Sequence, residues 1–92
     1  MADHNMENNW TISLREKLDQ HYAWPALYTF KFIVPRGKEE EVKRLFPMHE
    51  VKEKASKNGN YISLTIHMMA PSSDVVIDVY LKTSLIEGLV AL

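Results

Sequence analysis

From Leu27 to Val34 the chain alternates Tyr28, Phe30 and Phe32 with Thr29, Lys31 and Ile33. A period of two marks a strand with one face on the core, and here that face is aromatic. Pro35 and Gly37 close it. Upstream, Leu14, Leu18 and Tyr22 recur at helical spacing. Ser13 with Glu16 fits a capping box, in which each side chain satisfies the other's free backbone donor. These positions predict a short helix from about Ser13 to Tyr22. Trp24-Pro25 ends it, because the residue before a proline avoids the helical region. Residues 1–9 are polar and Asn-rich and read as a flexible tail.

Downstream, Glu39, Glu40 and Glu41 precede Lys43 and Arg44, the charge order that a helix dipole favours. Val42, Leu45 and Phe46 form the apolar stripe of this second helix, and Pro47 stops it after about two turns. Asn58-Gly59 is the clearest local signal. It predicts a type I′ turn, whose central residues both need positive φ, between strands over 48–56 and 61–69. A two-residue turn sets the register: Ala55 faces Ile62, Val51 faces Ile66 and Glu50 faces His67. Val51, Ala55, Ile62, Leu64, Ile66 and Met68 then share one side, and Lys52, Lys54, Ser63 and Thr65 share the other. Glu53 falls on the apolar side and reads as an edge-strand charge.

Pro71, Ser72, Ser73 and Asp74 make a helix start, and Val76, Val79, Tyr80 and Thr83 repeat along one face of that helix. Leu85 to Leu92 is almost wholly apolar and too short for another helix, so it reads as a final strand. The order is a leading helix followed by β-α-β-β-α-β. This is an α+β, ferredoxin-like two-layer sandwich with helices on one face of a four-stranded antiparallel sheet. The strand order expected of it, 4-1-3-2, puts the second and fourth strands at the edges. Residues 10–92 form a single domain, as a chain of 92 residues suggests.

Four separate blocks then resemble the YbeD-like family. They are Tyr28-Thr29-Phe30-Lys31-Phe32, Ser56-Lys57-Asn58-Gly59-Asn60-Tyr61, Ser63-Leu64-Thr65-Ile66, and the ending with Val76, Val79, Tyr80 and Ile86-Glu87-Gly88-Leu89-Val90. The resemblance covers about residues 10–92. It implies a small bacterial protein of unknown function, similar in fold to the ACT-type regulatory domains, in a family where some members carry a lipoate-regulation label. It implies no catalytic residues. The chain departs from the family where Pro47 shortens the first sandwich helix.

Composition narrows the chemistry. Net charge is -1, from 11 basic and 12 acidic side chains, whereas a dedicated nucleic-acid binder carries a basic excess. With no cysteine, disulfides, thiolate metal sites and a Cys nucleophile are excluded, and a reducing compartment suits the chain. The start lacks the order of a signal peptide, and no apolar run approaches the roughly 20 residues that span a membrane. The expected location is the cytoplasm.

Histidines 4, 21, 49 and 67 lack metal-ligand spacing, and no cofactor is expected. With Met1 removed, Ala2-Asp3-His4 would offer Cu(II) or Ni(II) a square-planar nitrogen site; an incidental histidine in a tail is the simpler account. The Glu50–His67 pair would tune a general base, but no nucleophile is supplied beside it, and a cross-strand pair suffices. The candidate interaction face is the open side of the sheet, with Lys31, Lys52, Lys54, Tyr61, Ser63, Thr65 and His67. Tyr61 is its only aromatic, against the several that base stacking uses, so nucleic acid is the lesser alternative. The last strand has Glu87 as its one charge, unusual for an edge. It would pair with a second copy or a partner's strand unless the leading helix or Trp24 covers it. The expected function is a non-enzymatic regulatory or interaction module, with a small enzyme ranked last because two thin layers leave little room for an enclosed pocket.

Overall fold

The protein's fold is described by a computed structural model, over residues 9–92. The elements run α1 (Asn9–His21), β1 (Ala26–Pro35), α2 (Glu39–Lys43), β2 (Val51–Ala55), β3 (Tyr61–Ala70), α3 (Ser73–Thr83) and β4 (Val90–Ala91). The strands form one antiparallel sheet in the order β2-β3-β1-β4, with β1 and β3 central. This is the ferredoxin-like α+β sandwich with an added N-terminal helix, as the alternation and turn signals predict.

The core follows the period of two. Phe30, Phe32 and Val34 of β1 are fully buried, and Ile62, Leu64 and Ile66 of β3 lie beside them. Val76, Ile77 and Val79 of α3 close the core from the helical side. Phe30 is the hub of the aromatic contacts, with ring centroids 4.9 Å from Tyr28, 5.5 Å from Phe46 and 5.4 Å from Tyr80. Ser72 caps α3 by accepting the Val75 N–H, so one of the helix's free donors is satisfied by its own sequence.

The helix α2 has only five residues, yet Val42 and Phe46 are both buried. The chain continues past it in tight turns, Leu45 N–H to Val42 O and Phe46 N–H to Lys43 O, which keep those side chains on the sheet. Further cover comes from α1, where Leu18 is buried and Leu14 packs against the core, and from Tyr22 and Trp24 just after it. Arg15 of α1 pairs with Asp74 of α3 at 2.9 Å.

Four local expectations need correction. Asn9 already lies in α1, so Ser13 stands inside the helix and is no cap; the stripe reaches back to the buried Thr11, one turn before Leu14. The rest of the predicted tail, with the Ala2-Asp3-His4 site, lies outside the described residues.

The hairpin turn is not type I′, because Asn58 does not have positive φ. Instead Gly59 N–H donates to Ser56 O, and Gly59 alone takes φ 77°. The Asn58 carboxamide oxygen accepts from the Ser56 hydroxyl and the Asn60 N–H, holding the residue in an Asx turn. The wider loop has the same centre as a two-residue turn, so Ala55 still faces Ile62 and Val51 still faces Ile66.

The second strand starts at Val51 rather than residue 48, because His49 N–H bonds back to Phe46 O and keeps the chain turning. The final strand is two residues long, not eight. Ile86 N–H bonds Thr83 O and Leu89 N–H bonds Ile86 O, and Gly88 adopts φ 81° against the Pro35 ring. Within 85–89, Ile86 is buried and Leu89 packs against the core, whereas Leu85 is exposed.

Candidate interaction face

Strand pleating puts alternate residues of β1 and β3 on the side away from the helices, and the register aligns them in rows. One row runs Lys52–Thr65–Lys31, from β2 across β3 to β1. The next runs Lys54–Ser63–Ile33–Val90, across all four strands. His67 stands opposite Thr29, and Tyr61 opposite Pro35. All seven residues expected on the open face therefore share it.

The predicted Glu50–His67 contact does not form, because β2 begins one residue after Glu50. The His67 Nδ1 shares a hydrogen bond of 2.8 Å with the Thr29 hydroxyl instead. Ser63 donates to the Lys54 carbonyl at 3.2 Å, which ties β3 to the edge strand. Between these polar groups the face exposes large apolar side chains: Leu27 (58%), Tyr61 (50%), Met69 (62%) and Val90 (54%).

The charges on the strands of this face are all basic. Arg15, Lys38, Lys43 and Lys82 each meet a carboxylate elsewhere on the molecule. Lys31, Lys52 and Lys54 on the face and Lys57 in the loop beside it meet none among the described residues, as is also true of Lys17, Arg36 and Arg44 elsewhere. Glu53, the acid of β2, points the other way and is taken up by Lys43 of α2. That pairing raises the Lys43 pKa, the Glu53 hydrogen bond being the largest cause. The open face is thus a cluster of unneutralised cations on a protein of net charge -1.

A hollow of about 440 Å³ lies at the hairpin end of the face, lined by Ile33, Lys54, Ala55, Ser56, Lys57, Tyr61 and Ser63. Lys57 is not among the residues expected on the face, because it reads as a turn residue, whereas the alternation already places Ile33 on that side, away from Phe32.

A second hollow, of about 470 Å³, sits between α1 and the sheet edge, with Trp10, Leu14, Tyr28, Tyr80, Thr83, Ala91 and Leu92 around it. The Tyr28 and Tyr80 hydroxyls meet there at 2.8 Å. Burial, and next the bond to Tyr28, pushes the Tyr80 phenol well above its ordinary pKa of 10.0. It stays neutral across the physiological range. The pair was invisible in the sequence because 52 residues separate its members.

No helix among the described residues is long and apolar enough to cross a membrane. Neither curated proteins nor solved structures give a match to the chain. Residues 19–91 do match the sequence model of one family, described as "Protein of unknown function (DUF493)". The match takes in every strand of the sheet and both helices that follow β1, so the chain belongs to the DUF493, or YbeD-like, family.

Proposed function

We propose that this protein is a non-enzymatic interaction module that works through the open face of its sheet. One observation carries the reading: the strands present three lysines without carboxylate partners there, Lys31, Lys52 and Lys54, and no acid, together with exposed Leu27, Tyr61, Met69 and Val90. The register sets Leu27 beside Met69 at one end of the face and Val90 beside Ile33 toward the other, so apolar contacts are offered next to the lysines rather than in one large patch. The resemblance to ACT-type regulatory domains supports a regulatory role for the module, and the cysteine-free sequence supports a reducing compartment such as the cytoplasm.

The reading has a direct test. The variant with Lys31→Glu, Lys52→Glu and Lys54→Glu should keep the wild-type circular dichroism spectrum and lose the partner that copurifies with the wild type from its native cells. Unchanged copurification would contradict it.

RNA binding is the second reading, favoured by the same lysines and by Tyr61. Titration with single-stranded RNA at low salt, where phosphate contacts are strongest, tests it; a flat titration removes it. Pairing through the C-terminal edge has a smaller footing than an eight-residue strand would provide. What supports it is exposed Val90 and Leu92 beside β1. Sedimentation at high micromolar concentration decides: a dimer supports edge pairing and a monomer ends it.

A further inference from the structure

The hollow at the hairpin end of the open face combines three features in one place. It is concave, at about 440 Å³, within the range of natural binding pockets. Its apolar lining residues are Ile33, Ala55 and Tyr61. Lys54 and Lys57 also line it, and neither meets a carboxylate among the described residues. Lysines on an edge strand have an ordinary use in blocking unwanted strand pairing. That use accounts for Lys52 and Lys54 on β2, but not for Lys31 on the central β1 or Lys57 in the loop.

Resting on the reading of the open face as the working surface, we propose that this hollow binds an acidic protein segment. One large apolar side chain of the segment sits on Ile33 and Tyr61, and flanking carboxylates meet Lys54 and Lys57. The lining argues against single-stranded nucleic acid, which draws on an aromatic surface for successive bases. Here Tyr61 is the single ring on the hollow and its other apolar members, Ile33 and Ala55, are aliphatic.

The test is a titration of the nitrogen-15-labelled full chain with a capped Glu-Asp-Phe-Glu-Asp peptide. Its counterpart with Ser in place of Phe, and oligouridine, are run in parallel. Backbone shifts should concentrate on Ile33, Ala55, Tyr61 and Ser63, and the serine peptide should bind about tenfold more weakly, as loss of a buried aromatic anchor implies. Lys54→Glu with Lys57→Glu should weaken the phenylalanine peptide about tenfold, and the milder Lys54→Gln with Lys57→Gln should weaken it in the same direction. Absence of shifts, equal binding of the two peptides, or tighter binding of oligouridine on the same residues would overturn the assignment. Should the peptide fail while copurification through Lys31, Lys52 and Lys54 persists, the acidic segment alone is wrong; loss of both removes the face itself.

Discussion

Phe30 has no exposed surface and touches rings from β1, α3 and the turn after α2, so its side chain ties together three parts of the molecule. Phe30→Ala should cost about 3–5 kcal/mol, since the rigid aromatic neighbours cannot close the cavity. On the opposite face Leu27 is 58% exposed, and Leu27→Ser should change stability by no more than about 0.5 kcal/mol. Urea denaturation of the two variants measures the contrast; similar losses would mean that the assignment of faces is wrong.

Tyr80 makes a separate prediction. Its pKa is raised in the folded protein, so the fold favours the neutral phenol. That contribution is intact below the ordinary value of 10.0 and is lost as the pH climbs beyond it. Tyr80→Phe should cost about 1 kcal/mol at neutral pH through the lost bond to Tyr28, and should flatten the decline of stability above pH about 10. Parallel alkaline curves for the two proteins would rule this out.

At the scale of elements, the two central strands were the most readable part, because a side chain on the wrong face of a sheet is expensive. The alternation of Tyr28, Phe30 and Phe32 located β1 to within a residue at each end, and the hairpin register emerged intact. The turn conformation did not, since loops of two and four residues with one centre share a register, and only the Asn58 side-chain bonds select the wider loop. Residues 85–89 misled for a different reason: apolar side chains pack a turn as readily as a strand. Glu53 looked misplaced until α2 brought Lys43 to it, a contact between distant segments.

The two turn glycines are predicted to differ. A Cβ at Gly88 would lie 2.6 Å from Pro35 Cγ, whereas at Gly59 it would meet the end of the Arg36 side chain at 2.9 Å. Both have positive φ, so alanine is strained at either site, by about 1 kcal/mol or more. The flexible Arg36 can move aside and the proline ring cannot, so Gly88→Ala should destabilise more in thermal denaturation. Equal or reversed losses would contradict the packing at β4.

For the whole molecule, helices cover one side of the sheet and leave the other bare, and the family match adds no activity to that architecture. The members of the candidate face were readable from strand alternation alone. Its electrostatic character was only partly so: the register already sets Glu53 on the helical side, but its pairing with Lys43 and the other ion pairs, which leave Lys31, Lys52, Lys54 and Lys57 without carboxylates, join distant segments. The most direct measurement is site-specific photocrosslinking in the native cells. The crosslinker is placed at Thr65, mid-face between Lys52 and Lys31, or at Asp78 on the exposed surface of α3. The account predicts a discrete crosslinked partner from Thr65 and none from Asp78. A partner captured from Asp78 alone, or from neither position, would contradict it.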